Sequence, residues 1–201
     1  MSVASARRLE VPWARVEPRR GDYDEAELAR LNLTLRAVAP GDTVVVLHAG
    51  CLPDWVIARG GWLDPDAVAS FGCYVDRVAQ AVGVLVARWA TFACFFDEVE
   101  AYESEAPRVA RVLLDAHATA YLHLRRTQGK GGKSPQVGLI EEWTTSRARE
   151  RAALLRVLTT GKLHPPFGRF GELPNGSAAL DFVGVLGAAM PEGLPVPIVR
   201  C

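Results

Sequence analysis

The 201-residue chain has no excess of either charge: its 23 basic residues are matched by 23 acidic ones, for a formal net charge of zero. Binding nucleic acid electrostatically means displacing condensed counterions with a concentrated basic surface, so this balance excludes that class of partner. Lysine is scarce, with only Lys130, Lys133 and Lys162 against a large majority of arginines, a bias that fits a GC-rich genome better than any chemistry. Cysteine is scarce too. Cys51, Cys73, Cys94 and Cys201 stand about twenty or more residues apart and never in the CxxC spacing of a zinc knuckle or redox dithiol. They read as reduced thiols of a cytoplasmic protein. No run of eighteen apolar residues occurs and Met1 to Arg8 has no apolar core, so neither a membrane span nor a secretory signal is expected. The four histidines, His48, His117, His123 and His164, form no HExxH and no Cys/His cluster, which leaves no expected metal or cofactor.

What the chain does have is 49% apolar residues. That suffices for one globular domain over 1–201 without a disulfide or metal to staple it. Short Val-rich runs alternate with longer stretches of three-to-four-residue periodicity. Leu9 to Val16 reads as a strand. Asp24 then caps a helix through Ala39 that places Leu28, Leu31, Leu35 and Val38 on one face. Thr43 to His48 holds the unbroken run of a strand buried on both faces. Asp64-Pro65 opens a helix to about Val82. Val84 to Phe92 is the next strand, Glu105 to Gln128 a helix, Gln136 to Glu141 a strand, Thr145 to Thr160 a helix and Ala179 to Leu186 a strand. Leu194 to Val199 is a weaker strand, interrupted by Pro195 and Pro197. Alternating strands and long helices predict right-handed βαβ units and a parallel sheet, either open or closed into a barrel.

Three features invite a functional reading. Thr127 to Ser134 nearly spells a phosphate-binding loop around Gly129-Lys130-Gly131-Gly132-Lys133. The chemistry needs strand, loop and helix in that order, and here the order is helix, loop, strand, so the patch reads as a solvated connection. His48 closes a buried strand, where parallel sheets bind ligands, and serves there either as a structural histidine or as a contact. Trp55, Trp62, Trp89 and Trp143 fall near strand ends or helix starts, where a ring either platforms a sugar or fills the junction.

Two segments point to a family. Pro12 to Glu25 reads PWARVEPRRGDYDE and His48 to Leu63 reads HAGCLPDWVIARGGWL. Together they resemble glycoside hydrolase family 1, the β-glucosidase and 6-phospho-β-glucosidase group, with its E-W-S-R-I-x-P strand and its L-H/Y-H, L-P-x-W-L and G-G-W series. The likeness continues collinearly. WATFAC at Trp89 to Cys94 resembles W-x-T-x-N-E-P, LLDAHATAY at Leu113 to Tyr121 resembles L-x-A-H-A-x-A-Y, QVGLI at Gln136 to Ile140 resembles the next strand, and DFVGV at Asp181 to Val185 resembles D-F-I/L-G-x-N-Y-Y.

The resemblance implies an α/β fold of the (β/α)8 TIM type, its site on loops at the C-terminal strand ends. It also implies retaining hydrolysis by two carboxyl groups about 5 Å apart. Carried over position by position, the chemistry fails. The family's Asn and acid/base Glu fall on Ala93 and Cys94, with Phe95 in place of Pro. The substrate-contacting His falls on Ala49, N-Y-Y becomes Leu186-Gly187-Ala188, and the nucleophile's place in the run from Gly193 to Val199 falls on Arg200. A thiol is a poor substitute for a tuned carboxylic acid, and a guanidinium has no lone pair with which to attack an anomeric carbon. His48, Trp55 and Trp89 remain as candidate substrate contacts. The leading expectation is a shortened, non-catalytic family relative acting as a binding or scaffold protein. The runner-up is a β-glycosidase with Asp97 or Glu98, expected in a loop, as a rebuilt acid. A third reading makes Cys94 a thiol nucleophile with His48 as its base. Matched to the family, the chain supplies about six parallel strands and lacks the first and last. Such a sheet stays open, closes into a smaller barrel, or has its edges covered by a homo-oligomer or partner chain. The expected ligand is a carbohydrate.

Overall fold

The computed structural model of the protein describes residues 4–38, 42–127, 133–143, 148–163, 165, 167, 171–174, 176, 178–186 and 196–201. It opens with Ala4–Ser5 (β1) and Arg7–Glu10 (β2), two stretches of one extended segment parted at Ala6. Trp13–Val16 (α1) is a single helical turn, followed by Glu25–Arg36 (α2). Asp24 caps α2 as expected, accepting from the amides of Ala26 at 2.8 Å and Glu27 at 3.0 Å. Next come Thr43–His48 (β3), Asp54–Ile57 (α3), Ala67–Val82 (α4), Arg88–Ala93 (β4), Phe95–Glu100 (α5), Ala106–Arg126 (α6), Gln136–Glu142 (β5), Ala148–Thr160 (α7), Phe182–Leu186 (β6) and Ile198–Arg200 (β7).

Every ladder is parallel, in the order β1-β7-β6-β5-β4-β3-β2. Ala4 and Ser5 face Val199 and Arg200 on one side of the N-terminal segment, while Arg7 to Glu10 face Thr43 to Val46 on the other. Ala6 N donates to Arg200 O at 2.9 Å. Because β1 and β2 are one segment, the two ends of the sheet are the same strand. The expected incomplete (β/α) barrel of about six parallel strands is therefore present, and of the three ways to deal with its missing strands the chain uses closure into a smaller ring.

Side chains alternate between two cores, as strand geometry requires. Val45, Leu47, Trp89, Val137, Leu139, Val183 and Val185 pack outward against the helices. The other faces meet in a second cluster that contains no helical residue and draws on every strand of the ring: Ala6, Val44, Val46, Ala90, Ala93, Ile140, Phe182 and Val199. Barrel width grows with strand number, so a six-stranded ring has little room inside. The residues obey: a Cβ on Gly138 would stand 2.1 Å from Phe182 O, and one on Gly184 would stand 2.6 Å from the Ile140 side chain.

Residues that carried the family resemblance prove to be knots between layers. His117 on α6 is fully buried between the Thr91 hydroxyl, 2.6 Å from Nδ1, and the Ala179 carbonyl, against Nε2. A carbonyl only accepts, so Nε2 carries the proton and Nδ1 accepts from Thr91. Asp181 accepts from Val137 N at 2.9 Å and from the Tyr121 hydroxyl at 3.0 Å, tying the entry of β6 to β5 and α6.

Several boundaries differ from the sequence reading. Leu9 to Val16 is a strand only as far as Glu10, because Pro12 ends it and starts α1. Asp64 does not cap a helix; it accepts from Asp66 N in a turn, and α4 begins at Ala67. Val84 lies in a short 3-10 turn, and the strand starts at Arg88. Asp97 and Glu98, expected in a loop, lie in α5. Gly129 to Gly132, Thr145, His164, Gly187, Ala188, Leu194 and Pro195 lie outside the described residues.

Gly138→Ala should cost about 3 kcal/mol or more in urea unfolding, since the clashing atom is backbone and cannot swing away; wild-type stability would mean the ring is wider than this. Burial lowers the His117 pKa to about 4. The stability owed to its neutral form is complete above the ordinary histidine value and is lost as pH falls from there to about 4. The stability gap between wild type and His117→Gln should therefore narrow by about 3 kcal/mol between pH 7 and pH 4.

Candidate functional site

The C-terminal ends of the strands open onto a cavity of about 370 Å³ lined by Arg8, Glu10, Ala49, Gly50, Ala93, Cys94, Asp97, Glu98 and Ala101. Arg8 and Glu10 stand two residues apart on β2, hence on one face, and form an ion pair at 2.7 Å. The positions matched to the family's Asn, acid/base Glu and substrate-contacting His, namely Ala93, Cys94 and Ala49, all line this mouth. Sequence reasoning had placed them at strand ends, and there they are.

Cys94 is the elbow between β4 and α5. Its backbone is left-handed (φ 58°, ψ 56°), which turns the chain from strand to helix in one residue. Its amide donates to Ile140 O at 2.8 Å, and its carbonyl accepts from Asp97 N and Glu98 N. Burial pushes the thiol pKa up, and the charges of Glu141 and Asp97 push it further. A raised pKa is the opposite of what a thiol nucleophile needs.

His48 does not reach Cys94 as a base. It is buried, packs edge-on against Trp62 and Phe92, and sets Nε2 3.2 Å from Glu98 Oε2. Glu98 Oε1 accepts from the Trp62 indole N–H at 2.7 Å. Burial alone would raise the Glu98 pKa, but the His48 contact and the Trp62 hydrogen bond outweigh it and the net shift is downward. Glu98 is thus held as a carboxylate with no proton to donate. Trp62 is positioned by the paired glycines of the GGW motif. Gly60 and Gly61 take positive φ (105° and 62°), and a Cβ on Gly61 would stand 2.2 Å from the Tyr102 hydroxyl, which accepts from Trp62 N at 3.0 Å.

The other expected contacts lie elsewhere. Trp89 is wholly buried in the core between sheet and helices, and Trp55 donates its indole N–H to Glu17 O at 3.0 Å; neither lines the mouth. Arg200 is exposed on β7 and is not among the lining residues. Among the described residues no three His, Cys, Asp or Glu side chains gather as a metal site, and no helix is long and apolar enough to cross a membrane.

Sequence reasoning passed over Arg8 and Glu10, although their two-residue spacing on a strand was readable, and also over Glu141. The Glu141 carboxyl, at the end of β5, is 3% exposed. The amides of Phe95 and Phe96 point at it and Arg151 Nε lies 3.8 Å from Oε2. Burial dominates those favourable contacts, with the Asp97 charge adding to it, and the pKa is raised to about 7.

A ring of parallel strands, with helices outside and ionisable side chains at the carboxyl ends, defines the class: a (β/α)-barrel protein whose candidate site is the C-terminal mouth. Among solved structures the fold matches a β-glycosidase from Pyrococcus horikoshii with a TM-score of 0.72 at 22% identity, covering 91% of this chain and 48% of that one. It matches the AHE enzyme from Alicyclobacillus herbarius with a TM-score of 0.71 at 22% identity, covering 90% and 50%. It matches a β-glucosidase from Thermotoga maritima in complex with azafagomine with a TM-score of 0.72 at 20% identity, covering 90% and 49%. The chain thus has the β-glycosidase fold that its motifs resemble, over about half the length of those proteins. No family model matches the chain, and no curated protein matches it in sequence.

At pH 7 iodoacetamide should label Cys94 at least about tenfold more slowly than the exposed Cys51 and Cys73, read by peptide mass spectrometry. Preferential labelling of Cys94 would reinstate the nucleophile reading.

Proposed function

We propose that the protein is a shortened relative of family 1 glycosidases that keeps the barrel without the hydrolysis, and that it acts as a non-catalytic binding or scaffold protein. The observation that carries this reading is the mouth itself. Cys94 stands at the position matched to the family's acid/base with its pKa raised, and Ala49, Gly50, Ala93 and Ala101 supply no side-chain group that could bond to a sugar hydroxyl. Proton donation to a leaving oxygen needs a protonated carboxyl in reach, and Glu98 is held ionised instead. The guanidinium of Arg200 has no nucleophilic lone pair. The four free thiols suit a reducing compartment, the cytoplasm.

One observation favours the alternative of a working β-glycosidase: Asp97 lines the mouth, exposed, three residues past Cys94. Under that reading Asp97 is the rebuilt acid. Purified protein should turn over neither aryl β-glucosides nor their 6-phosphates, and a glycan-binding screen run beside that assay separates a carbohydrate binder from an inert scaffold. Glucosidase activity that Asp97→Ala or Glu98→Ala abolishes would establish the hydrolase and end the non-catalytic reading. The N-terminal segment pairs with β7 through β1 and with β3 through β2; sedimentation measures whether a homo-oligomer or partner complex forms as well.

A further inference from the structure

Helix α5 carries Asp97 and Glu98 to the mouth and is gripped at two points. Glu98 is held by His48 and Trp62, and the first turn faces the buried carboxyl of Glu141 on β5. We propose that Glu141 is a proton-operated clasp, a positioning residue that sets where α5 stands against β5 and thereby the arrangement of carboxylates at the mouth. This inference does not depend on whether the mouth binds or hydrolyses anything.

The charged and titratable groups that face Glu141 come from each element packed around it. Arg151 on α7 attracts its charge, Asp97 on α5 repels it, and the Cys94 thiol lies at the elbow between β4 and α5. The Phe95 and Phe96 amides on α5 add two donors. Protonated, the carboxyl is a neutral group in a buried site. Ionised, it needs more hydrogen-bond donors than it has, because Oε1 has no hydrogen-bond partner among the described residues. Ionisation therefore favours any small movement that brings the first turn of α5 or the Arg151 guanidinium onto Oε1, and it pushes Asp97 away. The pivot is at hand: Cys94 alone separates β4 from α5, in a left-handed conformation. Asp97 and Glu98, the third and fourth residues of α5, move with the turn.

The test is an NMR titration of the full chain from pH 5 to 9, with carboxyl carbons and amide nitrogens labelled. The Glu141 carboxyl should titrate with a midpoint of about 7. The amides of residues 95–98 should shift with that midpoint, as should the Trp62 indole N–H, which reports on the far grip of the same helix. Glu141→Gln should abolish the shared step. A Glu141 midpoint in the ordinary carboxylate range overturns the proposal. So does a step confined to Phe95 and Phe96 with the Trp62 indole unmoved, which would mean that the carboxyl titrates without moving α5. So does a step that survives in Glu141→Gln. If Glu141→Gln does not fold, Arg151→Gln decides: loss of the positive charge should raise the midpoint, and an unchanged midpoint overturns the clasp.

Discussion

The structure depends on one pairing constraint, that the N-terminal segment Ala4 to Glu10 has to serve two neighbours. Its first residues complete the ladder of β7 and its last residues that of β3. A parallel sheet with two free edges exposes backbone donors and acceptors along both and leaves its concave face unfilled. Sharing one strand between the two edges cures both defects at once. The requirement then spreads inward, because a ring of six has little room, and Val44, Val46, Ile140, Phe182 and Val199 fill it only beside alanines and glycines. Ala6, Ala90, Ala93, Gly138 and Gly184 sit where an eight-stranded barrel takes branched side chains. The outward faces keep Trp89, Leu139 and Val183 for the helices.

At the mouth the same fold sets two carboxyls apart. Glu98 sits between an imidazole and an indole N–H and is held as an anion; Glu141, one strand over and behind the wall, holds a proton to about neutral pH. Divergent pKa values of this kind often mark an acid and a base in an active site. Here Glu141, the carboxyl whose pKa is raised, is not among the groups lining the cavity. Environment tunes a group, but reach decides whether the tuning becomes chemistry. The residues that reach the cavity from positions matched to the family's Asn, acid/base Glu and His are a thiol and two alanines, beside the charged side chains of Arg8, Glu10, Asp97 and Glu98.

Much of the framework was legible in the chain. Thr43 to His48 was read to the residue, because an apolar run flanked by turn residues has few other solutions, and the ends of the helices around α2, α4 and α6 fell within a few positions. The misreadings have local causes. Pro12 ends the first strand although apolar residues continue past it. α5 is too short to show periodicity, and its N-cap is a cysteine in left-handed conformation, which no capping rule announces. The motif positions Cys94, Ala93 and Ala49 were placed correctly because strand ends follow from strand positions. Glu141 escaped because its character comes from burial, a tertiary property absent from the string of letters. Closure was one of three outcomes that the sequence left open, and nothing local selects it, because it rests on pairing between residues from opposite ends of the described chain.

That last pairing bears on how the molecule reaches its native state. Every other ladder joins strands that follow one another in the chain and can zip up in order as the chain lengthens. The N-terminal segment, in contrast, finds β3 early and then waits with one edge bare until β7 arrives. Contacts of such long sequence separation form late, because the loop they close is the longest the chain allows. Until that pairing forms the assembling protein is an open, curled sheet, and the bonds between residues 4–6 and 199–200 complete it.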